Sequence, residues 1–325
     1  MMSDAIATTQ ADTVAAADVL WIWNQSSGRG LDVSTARAAQ SQWGGRWLKL
    51  SQQIDLGQVV ARAVNDGLRT VVAAGGDGTV NAVVNAIMQL PSERRPVFGI
   101  LPLGTANDFA RTLGMPADVQ QSAAVLQNAR VIPGDVIRVS DGRRDRYFAN
   151  VAAGGNSVRV SEQLDDQTKA FWGAFSYLRG AMDVLPDMRS YHVDARSDGH
   201  RDRLDCWAVI VANGRTNAGH IEVAPEASIC DGRMDVVLIR DGEVAEMAKL
   251  VASNLLGRFL ESDQVLFRQV RSLQLSSDPP MRFSIDGEID QDVPTTFEVI
   301  PAAIRMIVGD GFVVRPPSSS LAPAT

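Results

Sequence analysis

The residues of this chain best suited to chemistry stand in one short run: Gly75, Gly76, Asp77, Gly78, Thr79, Val80 and Asn81. Two adjacent glycines allow backbone angles that side chains forbid and let a ligand come close to the main chain. The run lies between an apolar stretch rich in β-branched residues, 70–74, and a segment in which Val80, Val83, Val84, Ile87 and Met88 recur at helical spacing. That order reads as buried strand, glycine turn and helix. The first amides of such a helix have no partners within it and its N-terminus is partly positive, so a phosphate placed there is bound by main-chain donors. The loop has neither the Gly-Lys-Ser/Thr ending of a P-loop nor the spacing of the Rossmann dinucleotide fingerprint. A plainer reading is an ordinary turn with Asp77 as helix cap. The crowding of Asp77, Thr79 and Asn81 around one helix start favours a ligand.

The elements that must position this loop are legible on either side. Residues 18–23 read as a first strand, followed by a loop of small polar residues, Asn24, Gln25, Ser26, Ser27 and Gly28. Residues 43–50 read as a second strand, 56–66 as a helix and 97–101 as a further buried strand. A second glycine loop, PLGTANDFA, then opens a helix and carries Gly104, Thr105 and Asp108. This alternation over 18–130 is the pattern of a doubly wound parallel sheet, in which ligands bind beyond the carboxyl ends of the strands. All three loops are expected there.

After residue 130 the pattern changes. Runs at 131–139, 147–152, 205–212, 234–240, 270–275, 281–285, 296–300 and 304–308 are short, often alternate, and are separated by Asp-Gly turns. They predict an antiparallel β-sandwich domain over 131–300 beside an α/β domain over 18–130, with 1–17 and 316–325 as disordered tails. Helical insertions are expected at 169–185 and 243–260. The first gathers Phe171, Trp172, Phe175, Tyr177 and Leu178, which suit either an acyl-chain pocket or packing on the sheet.

The balance of 45% hydrophobic and 21% charged residues in 325 is that of a globular protein with room for two domains. A net charge of −7 argues against nucleic acid as the main partner, because duplex binding rests on Lys and Arg neutralising phosphates. Two cysteines and three histidines, scattered without ligand spacing, speak against a zinc site or a disulfide framework. No run of about twenty apolar residues lacks charge, so no membrane span is expected, and the N-terminus lacks the shape of a signal peptide.

With GGDGTVN, LPLGTANDFA and the β-rich second half in view, the chain resembles bacterial lipid kinases of the diacylglycerol kinase catalytic-domain family, over about residues 18–314. The segments AAGG (152–155), PEASICDGRMD (225–235) and SIDGE (284–288) add to the likeness. The resemblance implies ATP as cosubstrate, Mg²⁺ as metal, phosphoryl transfer to a lipid hydroxyl, and an active site in the cleft between two domains. It also implies that the strands after about 301 rejoin the first domain. Asn24, Gln25, Ser26, Ser27 and Gly28 match a first nucleotide loop in which Gln25 replaces the usual proline. Ser51, Gly75 through Asn81 and Thr105 correspond to further ATP contacts. Asp77, Asp108 and Asp135 match three aspartates arranged around a hydrated magnesium. Ser228, Asp231 and Arg233 match a second, structural magnesium site, and Glu288 falls on the general base.

These types suit the reaction. Phosphoryl transfer needs the triphosphate held in line, its charge neutralised and the attacking hydroxyl deprotonated. Magnesium keeps several waters, so carboxylates can hold it through its hydration shell, and a glutamate at a tight turn can accept the hydroxyl proton. Taken alone, Asp108 also reads as a helix cap, Asp135 as a turn residue and Asp286-Gly287 as a hairpin signal. The leading expectation is an ATP-dependent kinase of diacylglycerol or another hydroxyl lipid, cytoplasmic and peripheral at the inner membrane face, with a homodimer compatible. An NAD kinase-like enzyme with a soluble substrate and a nucleotide-binding regulator without catalysis are the alternatives.

Overall fold

The computed structural model describes residues 18–25, 27, 44–158, 188–217, 221–243, 246, 249–250, 253, 257–289, 293, 295 and 296–315. The chain divides into two compact units, one of residues 1–134 with 302–313 and one of 135–301 with 314–325.

The first unit is built on parallel strands. β1 (Val19–Trp23) pairs with β2 (Arg46–Lys49) and with β3 (Thr70–Gly75), and β3 pairs with β4 (Val97–Pro102). β3 and β4 are buried along their whole length, as strands covered on both faces must be. In the register of β1 and β2, Trp21 lies opposite Trp47, and the two indoles stack with centroids 5.1 Å apart. Helix α1 (Leu56–Asn65) starts at Asp55, whose Oδ1 accepts the Gln58 amide at 3.1 Å. Helix α2 (Asp77–Met88) turns Val80, Val83, Val84, Ile87 and Met88 into the core. The short α3 (Asp108–Thr112) and α4 (Val119–Gln127) follow. Gly99 in the middle of β4 lets α4 approach, because a Cβ there would stand 2.6 Å from Leu126 Cδ2.

The second unit is antiparallel. After β5 (Arg130–Ser140), which enters it, come β6 (Asp145–Phe148), β7 (Val151–Gly155), β8 (Tyr191–Ser197) and the long β9 (His200–Ala212). The short pair β10 (Thr216–Asn217) and β11 (Ile221–Glu222) precedes β12 (Met234–Arg240), β13 (Val265–Val270), β14 (Ser272–Asp278), β15 (Phe283–Ile285), β16 (Glu288–Ile289) and β17 (Thr296–Val308). Within the unit the pairing runs β16, β15, β7, β9, β8, β14, β17, with β12 joining β9 to β13 and β6 paired to β5. One core cluster includes Phe148, Val211, Val236, Phe283 and Phe297, and another includes Trp207, Ile210, Val237 and Phe259. β17 passes from this unit into the first at Pro301, turns at Ala302 (φ 50), and there pairs parallel to β4 with Met306 opposite Phe98. The architecture is therefore the expected one, an N-terminal α/β domain and a C-terminal β-sandwich-like domain.

Details depart from the sequence reading. Residues 147–152 form parts of two strands, because the amides of Ala149, Asn150 and Val151 turn onto the Asp286 carboxylate instead of a ladder. Runs 296–300 and 304–308 form one strand. β8 and β13 are additional strands. β8 shows a clean alternation, with Tyr191, Val193 and Ala195 buried and polar residues between them. The expected helix at 169–185 lies outside the described residues, as does half of 243–260, of which residues 246, 249, 250 and 253 are helical.

Candidate active site

In the first unit the glycine turns meet at the carboxyl ends of β1, β3 and β4. The Asn24 amide donates to the Ala74 carbonyl at 3.2 Å, so the loop after β1 starts beside the end of β3. The Leu103 amide donates to the Gly75 carbonyl at 3.0 Å and ties the second glycine loop to the first. Both turns must be glycine. A Cβ on Gly104 would stand 2.4 Å from Gly76 Cα, and one on Gly75 would stand 2.3 Å from Thr79 Oγ1 and 3.0 Å from Ser27 Oγ. Thr79 Oγ1 is buried and has no hydrogen-bond partner among the described residues. An open backbone cradle beside an unanswered hydroxyl fits a bound phosphate. Gly76 is the N-cap of α2, its carbonyl accepting the amides of Thr79 at 2.9 Å and Val80 at 3.1 Å.

Asp77 is thus freed from capping its own helix. Its Oδ2 accepts the Asp108 amide at 3.3 Å and its Oδ1 the Phe109 amide at 3.1 Å, at the start of α3. The N-cap of α3, Asn107, sits in the left-handed region (φ 50) and spends its side chain on Gly104: Gly104 N donates to Oδ1 at 2.9 Å and Nδ2 donates to Gly104 O at 2.7 Å. Burial raises the pKa of the Asp77 carboxyl above its ordinary value, and the neighbouring Asp108 charge raises it further, against the amides of Phe109, Asp108 and Asp77 itself, which lower it. Two carboxylates forced together in this way fit a hard divalent cation that keeps part of its water. Among the described residues, no group of three or more His, Cys, Asp or Glu side chains is gathered as a metal cluster.

The other predicted nucleotide contacts of this unit are spread around the cradle. Asn81 lies one turn into α2, where Asn85 Nδ2 donates to its carbonyl at 2.9 Å. Thr105 and Ser51 are exposed, Ser51 just after β2 at the same end of the sheet. Gln25 and Ser27 are described, whereas Ser26 and Gly28 lie outside the described residues.

In the second unit, Asp135 is buried on β5, and its Oδ2 accepts the Gly232 amide at 2.7 Å while its own amide donates to the Ile229 carbonyl at 2.6 Å. It therefore braces the loop that carries Ser228, Asp231 and Arg233. Asp231 Oδ1 accepts the Arg233 amide at 2.9 Å. Burial pushes the Asp231 carboxyl up to about 6, opposed by that amide and supported by the charge of Asp135. Ser228 is buried beside Cys230, and Arg233 Nη1 donates to the Gln269 carbonyl at 3.2 Å. A guanidinium carries donors and positive charge only, so a cation could be met only by the main-chain carbonyl of Arg233. Glu288 is exposed at the start of β16, beyond a turn at Asp286 (φ 47) and Gly287 (φ 89).

Sequence reasoning passed over three polar residues that shape this unit. Asp286 gathers the amides of Ala149, Asn150 and Val151 at 3.3, 3.2 and 3.0 Å. Asn213, fully buried, donates from Nδ2 to the carbonyls of Asp135 at 3.0 Å and Ala149 at 2.7 Å. Asp235 is buried and pushed up to about 8 by that burial, with Gln269 Nε2 donating to its Oδ1 at 2.9 Å. In the sequence Asp286-Gly287 reads as a hairpin signal within the SIDGE segment, and nothing local marks Asn213 or Asp235 for these bonds.

Two family models match the chain: a diacylglycerol kinase catalytic domain over residues 18–139 and a YegS C-terminal, NAD kinase β-sandwich-like domain over 149–308. A crystal structure from Bacillus anthracis str. Sterne superposes with a TM-score of 0.77 at 24% identity, covering 94% of this chain and 99% of that one, a likeness that concerns the fold alone. Among curated relatives, the diacylglycerol kinase of Staphylococcus saprophyticus subsp. saprophyticus is 32% identical over 73% of this chain and 76% of its own. That of Staphylococcus carnosus (strain TM300) is 31% identical over 73% and 75%. With close to a third of its residues shared across roughly three quarters of both partners, this chain belongs to the bacterial diacylglycerol kinase family and is a kinase.

Proposed function

We propose that the protein transfers the γ-phosphoryl group of ATP to a lipid hydroxyl, with diacylglycerol as the default acceptor and phosphatidic acid as the product. The observation that carries the nucleotide part is the glycine cradle, in which Gly75, Gly76 and Gly104 bare their backbone beside the unanswered Thr79 hydroxyl. Main-chain amides at the start of α2 orient the triphosphate, and Asn24, Gln25, Ser27, Ser51 and Thr105 border it. Asp77, Asp108 and Asp135 would hold Mg²⁺ through its waters, and the ion when bound supplies charge neutralisation on the transferring phosphoryl group. Asp231, with the carbonyls of Ser228 and Arg233, would hold a structural ion. Glu288 accepts the proton of the attacking hydroxyl and carries it away from the acceptor oxygen. Diacylglycerol comes from the names of the curated relatives. A lipid acceptor calls for contact with a membrane surface, and no helix among the described residues is long and apolar enough to cross one.

The test is to incubate the purified protein with labelled ATP, Mg²⁺ and mixed micelles holding one lipid at a time. Label extracted with diacylglycerol supports the reading, and label with another lipid alone corrects the acceptor. Label in a soluble product made from NAD, or ATP binding without product, overturns it.

A further inference from the structure

At the other end of the first unit's sheet, where β1, β3 and β4 begin, lies a cavity of about 650 Å³. Its lining includes four arginines, Arg69, Arg94, Arg95 and Arg305, against two acidic residues, Asp18 and Glu93. Two of the arginines are fixed. Arg95 donates from Nε to the Leu90 carbonyl at 3.0 Å and from Nη1 to the Ala303 carbonyl at 2.9 Å, and Arg94 donates from Nη2 to Asn65 Oδ1. The other two, Arg69 and Arg305, are exposed, and their side chains make no hydrogen bond or ion pair among the described residues. The main chain of Arg69 is already spent, its amide donating to the Asp18 carbonyl at 3.0 Å and its carbonyl accepting the Val97 amide at 2.9 Å. At this edge of the cavity the groups left for recognition are the guanidinium forks of Arg69 and Arg305, unpaired among the described residues.

We propose that this cavity binds a phosphate-bearing ligand, with Arg69 and Arg305 closing on the phosphate oxygens. The guanidinium fork matches phosphate geometry through paired charge-assisted hydrogen bonds. The fixed Arg95 adds positive potential without having to be ordered on binding, and Asp18 and Glu93 favour ligands that also carry donors, such as hydroxyl or amino groups. A volume of this size admits a small molecule or a headgroup. The same phosphate chemistry is offered by a soluble phosphate and by an anionic lipid headgroup. The glycine loops lie at the opposite ends of these strands, so the site stands apart from the nucleotide cradle and does not rest on the kinase reading.

The experiment uses the full chain and the double variant Arg69→Gln/Arg305→Gln, neither residue having a side-chain partner to lose. A second double variant, Arg143→Gln/Arg144→Gln, removes the same charge from the exposed turn before β6. Binding is measured to inorganic phosphate by calorimetry, and to phosphatidylcholine vesicles with and without phosphatidic acid by sedimentation. The expected result is affinity weakened about 30-fold by the cavity variant, the combined effect of two charge-assisted contacts, with the turn variant close to wild type. Loss on free phosphate identifies a soluble ligand, and loss only on vesicles containing phosphatidic acid identifies a headgroup. Equal binding by both variants, or no binding by the wild type to either probe, overturns the proposal and leaves the arginines as a solvated face.

Discussion

Asp77 reaches from the first turn of α2 to the amides of Asp108 and Phe109 at the start of α3, at 3.3 and 3.1 Å. One carboxylate therefore fixes the angle between two helix starts and also brings its charge beside Asp108. Asp77→Ala should remove both effects. Loss of a cap costs about 1–2 kcal/mol, which a thermal melt reads directly, and phosphoryl transfer should fall below detection. Asp77→Asn keeps an acceptor for one amide and should regain most of the stability without regaining activity. An asparagine variant that turns over like wild type would remove Asp77 from the reacting site.

Glu288 and Asp286 are two positions apart and are expected to behave oppositely. Glu288 is exposed and its side chain makes no hydrogen bond among the described residues, so Glu288→Ala should leave the melting temperature and ATP binding unchanged while kcat drops about 10²–10⁴-fold, the usual contribution of a general base. Asp286 is buried and holds three amides. Its replacement by alanine leaves buried donors unanswered at about 1–3 kcal/mol for each, and should be seen first as lost expression and a lowered melt. Unchanged kcat in Glu288→Ala would remove it as base.

How much of this could be read in the sequence depended on whether a residue's work is local. The strand, glycine turn and helix around Gly75 are adjacent in the chain, so their periodicity and turn chemistry stood in plain view. What escaped was long-range. Asp286 bonds to residues some 135 positions earlier, and Asn213 bridges two carbonyls 64 and 78 positions away. Local chemistry therefore labels both as turn formers. For the same reason Asp77 could be read as a cap but not as the cap of the wrong helix, since the tie to Phe109 spans 32 residues. β8 escaped for another reason, because its alternation of buried and polar residues is local and stood in the sequence without being read as a strand.

Asp194 gives a pH dependence whose sign is fixed. Arg201 hydrogen-bonds its carboxylate and Arg203 adds a second contact at 3.1 Å, and together they hold the Asp194 carboxyl well below the ordinary carboxylate range. A carboxyl with a depressed folded-state pKa stabilises the fold above its unfolded value, and that contribution is lost as pH falls toward the folded value. Wild type should therefore melt higher than Asp194→Asn by a constant margin near neutrality. The gap should narrow only below about pH 4, where the unfolded carboxyl takes up its proton. The group is near the surface, so the margin should be small and should shrink in salt. A gap that widens toward low pH would contradict the ion-pair account.

Asp231 offers a separate handle on the metal of the second unit. Its carboxyl sits at about 6 because it is buried, and Asp135 adds a like charge from the strand that braces the same loop. A cation bound there would offset both costs, so magnesium should stabilise this protein against heat. At about 100 times its dissociation constant a ligand of the folded state contributes about 2.7 kcal/mol, equivalent to several degrees in a domain of this size. Asp231→Asn removes the charge but retains an acceptor for the Arg233 amide at 2.9 Å, so the loop should keep its form. The variant should melt at or above the wild type without magnesium, because a buried charge has been deleted, and should gain little when magnesium is added. Calcium serves as the comparison, since its larger coordination number suits a loop of carbonyls less selectively. If the variant keeps the full magnesium shift, the ion binds elsewhere, and the Asp77 and Asp108 pair becomes the place to look by the same measurement.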